Sequence, residues 1–237
     1  MKRLVIIGGS GSIGKAFVNY YNNQVDVEKI YCFSRTDQTH SSEKVINKKI
    51  DIEDEESIKN AAIKIGENKI DLVIVATGLL HTEIFGPEKS IKEIDLKTFK
   101  KIFSVNAFGP ALIGKHFLPL LSKNSRSVLA FLSARVGSIS ENKIGGWYSY
   151  RSSKAALNQL IKNFSIEAKR INPNAIILGL QPGTVDSNLS KPFKKNVTKD
   201  NLFSADYSVK MLVDVIEKST VEDSGELLAW DGSNIKP

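Results

Sequence analysis

The sequence predicts a three-layer α/β fold, in which helices cover both faces of a doubly wound, mainly parallel sheet of seven strands. Short aliphatic runs alternate along the chain with longer segments whose apolar residues recur about every 3.6 positions. The runs are apolar at consecutive positions, which is typical of strands buried on both faces. A length of 237 residues, of which 41% are apolar and 25% charged, suits a globular protein with one core. We therefore expect one domain over residues 1–237.

Each element follows from its own segment. Strands are predicted at residues 4–7, 30–33, 45–50, 72–76, 128–132, 175–180 and 227–230. Helices are predicted at residues 13–22, 55–65, 96–121, 150–171 and 205–217. The fourth helix ends where Pro173 disfavours helix at the residue before it. Residues 183–204 are predicted to form a surface segment that acts as a substrate lid, because long irregular loops are usually functional or disordered.

The composition excludes several classes of protein. Cys32 is the only cysteine and the three histidines are scattered, which excludes a disulfide scaffold and a standard zinc site. The longest apolar stretch, residues 72–80, is too short for a membrane span, and residues 4–7 are too few for a signal-peptide core. We therefore expect no membrane partner and a cytoplasmic location. The net charge of +7 is spread along the chain, which weakly favours anionic ligands and predicts no nucleic-acid partner.

A glycine-rich turn joins the first predicted strand to the first helix. Gly9, Gly11 and Gly14 match GxGxxG, in which the backbone approaches a pyrophosphate and the helix N-terminus carries its charge. This position indicates a Rossmann-type dinucleotide site that includes Gly8, Ser10, Gly11, Ser12, Ile13 and Gly14. The alternatives are a merely tight turn and a phosphate-binding loop of the NTPase kind, since residues 9–15 also spell GxxxxGK. The NTPase loop needs a hydroxyl at position 16 to hold Mg²⁺, and Ala16 occupies that position.

Ser34 and Arg35 follow the second predicted strand. An acid near this place would bind the ribose 2′-hydroxyl of NAD, whereas an arginine pairs with the 2′-phosphate of NADP. The sequence therefore favours NADP as the cofactor. NAD stays open because Asp37 is close, and a solvated Arg35 is a further alternative.

Tyr150 and Lys154 lie four residues apart at the start of the fourth predicted helix. Four residues turn an α-helix by about 400°, so the phenol and the ammonium share one face. Because a nearby ammonium favours phenolate, we expect Lys154 to lower the pKa of Tyr150 and make it a usable proton donor and acceptor. Tyr148 is out of phase with Lys154 and is expected to face the substrate or to pack.

Together these motifs resemble the short-chain dehydrogenase/reductase family over essentially the whole chain. The matching elements are, in order, the Gly8 to Gly14 turn, Asp51 and Ile52, Ala76 to Gly78, Asn106, Ser133 to Gly137, Tyr150 with Lys154, and Pro182 with Gly183. Residues 133–150, with the sequence SARVGSISENKIGGWYSY, further resemble a C-factor-like and carbonyl-reductase-like subgroup.

The resemblance implies a hydride transfer between the nicotinamide C4 and a carbonyl or alcohol. It implies that Tyr150 exchanges a proton with the substrate oxygen, that Lys154 holds the nicotinamide ribose, and that Asn106 anchors a water in the proton path. It also assigns cofactor contacts to Asp51 and Ile52 at the adenine, to Ala76, Thr77 and Gly78 at the ribose, and to Pro182, Gly183 and Val185 at the nicotinamide. The alternatives are an Asn106 bonded to nearby backbone, an Asp51 that caps a helix, and a Pro182-Gly183 pair that only forms a turn.

Two positions depart from the family's pattern. Ser12 stands where the middle glycine usually lies, with Gly11 next to it. Ala134 stands where the carbonyl-polarising serine usually lies, three residues before Gly137. We expect Ser133 to supply this hydrogen-bond donor, with Ser138 as the next candidate.

The sequence thus predicts an NADP-preferring oxidoreductase that transfers a hydride between its cofactor and a small carbonyl or alcohol substrate. The alternative is a nucleotide-binding signalling or regulatory protein of the C-factor type with little turnover, which the missing serine at position 134 favours. Equivalent helices build dimers in the family, so the resemblance implies a homodimer or homotetramer.

Overall fold

The computed structural model describes residues 2–36, 42–66, 70–192 and 202–237. These residues form the strands β1 (Lys2–Ile7), β2 (Val27–Ser34), β3 (Val45–Lys49), β4 (Leu72–Val75), β5 (Ser127–Leu132), β6 (Ala175–Gln181), β7 (Thr184–Val185), β8 (Leu202–Phe203) and β9 (Leu227–Ala229). The main sheet has seven strands in the order β3-β2-β1-β4-β5-β6-β9. Every neighbouring pair in it is parallel, which confirms the seven predicted strands and the doubly wound fold. The short parallel pair β7-β8 was not expected.

Helices cover both faces of this sheet. The α-helices of the described residues are α1 (Ser12–Asn22), α2 (Glu55–Ile63), α3 (Leu96–Phe103), α4 (Gly109–Phe117), α5 (Tyr148–Ile171) and α6 (Ala205–Lys218). On one face, Ile58 of α2, Ile113 of α4 and Leu157 of α5 share a core cluster. On the other face, Phe17 of α1 and Leu212 of α6 belong to a second cluster. The result is the predicted three-layer Rossmann-type arrangement.

The single helix predicted over residues 96–121 is wrong in its middle and at its end. A π-helical turn, Ser104–Phe108, separates α3 from α4, and a 3₁₀ turn, Leu118–Leu120, follows α4. Pro110 explains the interruption, because a proline has no N–H to donate to the carbonyl four residues before it, which here is that of Asn106. The π-helical turn therefore lies at the residue that the sequence marks as functional.

All seven strands of the main sheet point the same way, so their carboxyl ends meet at one edge. The order reverses between β1 and β4, and ligands of open α/β sheets bind in the crevice at such a point. Gly8 and Ala76, which follow these two strands, are in close contact: a Cβ added to Gly8 would lie 2.9 Å from the Ala76 carbonyl. The fold thus brings the ends of β1 and β4 together where a dinucleotide site is predicted. Within the residues described, no helix has the length and apolar character needed to cross a membrane.

Candidate active site

The glycine turn is packed tightly on the side facing the sheet and open on the other. The N–H groups of Gly8 and Gly9 both donate to the Phe33 carbonyl, at 2.9 and 3.0 Å, and Gly8 has a φ of +92°. A Cβ on Gly9 would lie 2.2 Å from the sulfur of Cys32, and one on Gly14 would lie 2.2 Å from the Gly8 carbonyl oxygen. A Cβ on Gly11, by contrast, would meet only the Gly8 oxygen, at 3.4 Å. Gly11 therefore leaves open space above the start of helix α1.

The start of α1 has the character of an anion site. Its N-cap residue is Gly11, and within the described part of the chain no side chain caps it and no acid occupies its first turn. Ser10, Gly11 and Ser12 are exposed, whereas Ile13 is half-buried. The free N–H groups and the positive end of the helix dipole favour a negatively charged group at this place. The glycine turn thus fits the pyrophosphate of a dinucleotide.

A second observation supports a ligand beside this turn. The hydroxyl oxygen of Thr77 is buried without a hydrogen-bond partner among the described residues. The methyl group of the same side chain would lie 3.1 Å from a Cβ on Gly8. Buried polar atoms nearly always have a partner, so an orphaned hydroxyl here indicates a site for a ligand or a water.

The residues expected at the adenine end of the cofactor differ in their exposure to solvent. Ser34 is buried and donates its hydroxyl proton to the Thr36 carbonyl, while Arg35 is exposed just beyond the end of β2. Asp37 lies outside the described residues. Asp51 is exposed and accepts a hydrogen bond from the Glu53 N–H at 3.0 Å, and Ile52 is buried beneath Gly109. The Asp51 carboxylate is thus engaged in a local turn before α2, and it does not cap that helix, because the N-cap is Asp54, whose side chain accepts from the Glu56 N–H.

Tyr150 and Lys154 are both buried, at 7% and 3% exposure, in the first two turns of α5. The Lys154 ammonium lies 5.9 Å from the centre of the Tyr150 ring and donates to the Leu132 carbonyl at the end of β5, at 2.9 Å. The helical spacing therefore does bring the two side chains together, as predicted, and it ties them to the carboxyl edge of the sheet.

Burial controls the ionisation of this pair. Desolvation raises the pKa of Tyr150 to about 12, and desolvation lowers the pKa of Lys154 from its ordinary 10.5 to about 8. The sequence predicts that Lys154 lowers the pKa of Tyr150, and the structure gives the opposite shift. Burial removes the phenol from water and disfavours the phenolate, and desolvation is the cause of the shift. At neutral pH Tyr150 is therefore a protonated phenol beside an ammonium that deprotonates easily.

Asn106 and Gly78 complete this end of the site. The Asn106 side chain is fully buried and binds the Leu79 backbone twice: its oxygen accepts from the Leu79 N–H, and its nitrogen donates to the Leu79 carbonyl, both at 2.8 Å. Its nitrogen also lies 3.1 Å from the hydroxyl of Ser153. A Cβ on Gly78 would lie 3.8 Å from the Lys154 nitrogen and 3.9 Å from the Asn106 oxygen. Three residues predicted separately thus meet in one place.

The two candidate polarising hydroxyls differ in their hydrogen bonds. Ser133 donates its proton to the Asn158 side-chain oxygen in α5 at 2.6 Å. Ala134 has extended backbone, with φ −150° and ψ 145°, so Ser133 and Ala134 point to opposite sides of the chain. Ser138 is buried and accepts from the Glu141 N–H at 3.2 Å, while its other neighbour, the hydroxyl of Ser140, is 3.4 Å away.

The segment after β6 is held in place by its own contacts. Gly183 has a φ of +75°, and a Cβ there would lie 2.6 Å from the Phe203 ring. The carbonyl of Pro182 accepts a hydrogen bond from Ser208 at 2.6 Å, and Val185 is buried. Residues 193–201 of the expected lid lie outside the described residues, so the lid stays a prediction.

Three further residues near the site were not predicted from the sequence. Asn158, which accepts the hydrogen bond from Ser133, lies four residues after Lys154 on α5. This spacing places it on the same helix face as Lys154 and could have identified it from the sequence. His81 lies 3.2 Å from the carbonyls of both Asn188 and Leu189, so it joins the segment after β4 to the segment after β6. Glu88 is a buried carboxylate that contacts the start of α5, and no pattern in the sequence marks it.

Comparison with known proteins agrees with this geometry. The model of the short chain dehydrogenase family matches residues 2–198. The 1-hydroxy-2-glutathionyl-2-methyl-3-butene dehydrogenase of Rhodococcus sp. (strain AD45) is 27% identical over 186 residues, which are 78% of this chain and 76% of that protein. The C-signal of Myxococcus xanthus is 29% identical over 147 residues, which are 62% of this chain and 82% of C-signal.

Among solved structures, the NADPH-bound carbonyl reductase from chicken fatty liver superposes with a TM-score of 0.88 at 21% identity, over 100% of this chain and 94% of that one. This likeness shows the shared fold. The family model spans most of the sequence, and the glycine turn, Asn106 and Lys154 lie along one edge of the sheet. The chain therefore belongs to the short-chain dehydrogenase/reductase family of oxidoreductases.

Proposed function

We propose that the protein is an NADP-preferring oxidoreductase that transfers a hydride between the nicotinamide and a carbonyl or alcohol substrate. The observation that carries this proposal is the buried Tyr150–Lys154 pair, which lies at the same sheet edge as the open glycine turn. A phenol that holds its proton at neutral pH suits the protonation of a carbonyl oxygen as it is reduced.

The cofactor would lie along the carboxyl edge of the sheet. The start of α1 would hold the pyrophosphate, and the exposed Arg35 would pair with the 2′-phosphate that distinguishes NADP from NAD. The contacts proposed for the rest of the dinucleotide are those expected from the sequence: Ser34, Asp51 and Ile52 at the adenosine, Ala76, Thr77 and Gly78 at the ribose, and Pro182, Gly183 and Val185 at the nicotinamide. When bound, the dinucleotide supplies or accepts the hydride.

The protein's own residues would handle the proton. Tyr150 donates its phenolic proton to the substrate oxygen in reduction and takes it back in oxidation. Lys154 stabilises the transient phenolate with its charge, and its lowered pKa lets the ammonium give a proton to that phenolate and so restore the phenol. Asn106 fixes the backbone of Leu79 beside Lys154, and it would anchor the water that carries the proton further.

The hydrogen bonds favour Ser138 over Ser133 as the donor that polarises the substrate carbonyl. The proton of Ser133 is already committed to Asn158 at 2.6 Å. Ser138 accepts a backbone hydrogen bond, and its contact with the Ser140 hydroxyl, in which either oxygen can be the donor, is long at 3.4 Å, so its proton is more easily turned to a substrate oxygen. Ser133 then has a positioning role, because it links the end of β5 to α5.

Relocating the hydroxyl tests this choice. Ser138→Ala should slow reduction at least tenfold with the affinity for NADPH unchanged, since one such donor stabilises a transition state by about 2.7 to 4 kcal/mol. Adding Ala134→Ser to that variant should restore much of the rate, because it places a hydroxyl at the family's usual position. A Ser138→Ala enzyme with the wild-type rate, or a Ser133→Ala enzyme that alone loses activity, would return the role to Ser133.

The activity itself is tested with NADPH and a panel of aldehydes, ketones and quinones, beginning with 4-nitrobenzaldehyde. We expect consumption of NADPH that Tyr150→Phe abolishes and that Tyr148→Phe preserves, because the two tyrosines share a helix and only Tyr150 is in phase with Lys154. NADPH binding without turnover of any carbonyl would overturn the proposal.

That outcome would favour the second candidate, a nucleotide-binding signalling or regulatory protein with little turnover. Two observations support this candidate: Ala134 stands at the family's usual serine position, and the chain is similar to the C-signal of Myxococcus xanthus.

The homodimer or homotetramer, the cytoplasmic location and the single domain with its lid stay predictions. Mass photometry of the purified protein measures the first of them.

A further inference from the structure

Glu88 is a carboxylate in the connection between β4 and α3, and it is only 2% exposed. Both of its oxygens accept from the Ser149 N–H in the first turn of α5, at 3.3 and 3.2 Å. Its own backbone carbonyl accepts from the Trp147 N–H. One residue of a distant loop thus holds two backbone groups, at positions one and three residues before Tyr150.

Helix α5 has no cap of its own at this end. Its N-cap residue is Trp147, no side chain of the segment caps it, and within the described part of the chain its first turn holds no acid. The carboxylate of Glu88 therefore takes the place that a capping aspartate or serine usually fills, and its negative charge faces the positive end of the helix dipole.

The chain that leads into α5 is wrapped around Glu88. Gly145, Gly146 and Trp147 have consecutive φ values of +70°, +66° and +52°. A Cβ on Gly146 would lie 3.3 Å from the Glu88 carbonyl oxygen, so the two backbones are in close contact. A left-handed tryptophan is strained and persists only where its surroundings fix it. The backbone carbonyl of Glu88 supplies part of that constraint, and the Glu88 carboxylate adds to it by holding the Ser149 N–H at the start of the helix.

The constraint reaches Tyr150 directly. The Trp147 ring meets the Tyr150 ring edge-on, with 6.1 Å between their centres. Helix α5 is 24 residues long, and Leu157 and Ile161 anchor it in the core beyond its first two turns. The helix as a whole therefore does not depend on its cap. Loss of the cap should fray only the first turn, which is the turn that carries Tyr150.

We propose that Glu88 is a positioning residue for Tyr150: it caps α5 from the β4–α3 connection and so fixes the phenol at the reacting centre. This inference rests on the proposed oxidoreductase function. A merely structural cap would affect thermal stability and leave the reaction untouched, whereas a positioning cap should affect kcat with little change in KM or in thermal stability.

The test compares Glu88→Ala with Glu88→Gln and with Glu93→Ala. The glutamine keeps an acceptor oxygen for the Ser149 N–H, and Glu93 is an exposed carboxylate of the same connection that accepts from the Lys89 N–H. With NADPH and 4-nitrobenzaldehyde, Glu88→Ala should lower kcat at least tenfold with both KM values within twofold of wild type. Glu88→Gln should keep at least a third of kcat, and Glu93→Ala should keep all of it.

A Glu88→Ala enzyme with kcat within twofold of wild type would overturn the proposal, as would a glutamine variant as slow as the alanine variant. Where Glu88→Ala does not fold, Glu88→Asp serves instead, since its shorter side chain withdraws the carboxylate from Ser149, and the same loss of kcat is expected.

A second readout separates this inference from the proposed function. In a Trp230→Phe background, Trp147 is the only tryptophan and its fluorescence reports the first turn of α5. Its emission should shift to the red in Glu88→Ala and stay unchanged in Glu93→Ala, whether or not the enzyme turns over. If the wild-type protein shows no turnover but Glu88→Ala still shifts the Trp147 emission, the proposed function is wrong and the role of Glu88 in ordering the first turn of α5 stands. An unshifted emission would sink the role of Glu88.

Discussion

Replacing Lys154 with methionine should make the protein more stable at neutral pH while abolishing its activity. Burial lowers the pKa of Lys154 from its ordinary 10.5 to about 8. At about 1.36 kcal/mol for each pKa unit, this difference corresponds to roughly 3.4 kcal/mol that the folded state loses by holding a desolvated ammonium. Methionine fills a similar volume without a charge and forgoes the hydrogen bond that the ammonium donates to the Leu132 carbonyl, which contributes about 1.5 kcal/mol.

The sign of the effect follows from proton binding. Because the folded pKa lies below the unfolded one, the unfolded chain binds more protons between about pH 8 and 10.5, and the contribution of Lys154 to stability rises with pH across that window. Below pH 8 the penalty is complete. Lys154→Met should therefore be about 2 kcal/mol more stable at pH 7, which for a chain of this size raises Tm by roughly 4 to 8 °C. By pH 10 the advantage should shrink to about zero.

Thermal unfolding followed by circular dichroism at pH 7 and pH 10 measures this difference. Lys162→Met is the matched control, because Lys162 lies on the same helix but is half-exposed and pairs with Glu226 at 3.0 Å. Its Tm should change little at either pH, since exposed ion pairs contribute at most about 1 kcal/mol. A Lys154→Met protein less stable than wild type at pH 7, or a difference independent of pH, would refute the reasoning.

Three further predictions follow from the site. Above about pH 8 the rate of carbonyl reduction should fall as Lys154 loses its proton, and in Lys154→Arg that fall should be absent from the pH profile because arginine stays charged. Gly11→Ala should weaken NADPH binding at least tenfold in a fluorescence titration with little change in Tm, whereas Gly14→Ala should lower Tm because its Cβ would lie 2.2 Å from the Gly8 oxygen. In the same titration Arg35→Ala should weaken NADPH far more than NADH, and equal losses would contradict the assignment of Arg35.

The fold was predictable because its signals are local and redundant. Consecutive apolar residues mark six of the seven parallel strands, the exception being β3, whose sequence is VINKK, and the first strand ends directly at the Gly8 to Gly14 turn. The pairing of Tyr150 with Lys154 follows from helical spacing alone. These features need no knowledge of distant parts of the chain.

What the sequence did not reveal depends on contacts between distant segments. The π-helical turn at Asn106 arises from Pro110 within a helix that otherwise has regular apolar spacing. The raised pKa of Tyr150 reflects desolvation by the surrounding elements, which the spacing of Tyr150 and Lys154 in the sequence does not reveal. Glu88 caps a helix 61 residues further along the chain, so no local pattern marks it.

A crystal structure of the complex with NADPH tests the central claim most directly. The account predicts the pyrophosphate at the first turn of α1, the nicotinamide beside the Tyr150 hydroxyl, and the adjacent ribose within hydrogen-bond distance of the Lys154 ammonium. A dinucleotide bound elsewhere, with Tyr150 and Lys154 turned away from its nicotinamide, would contradict the account.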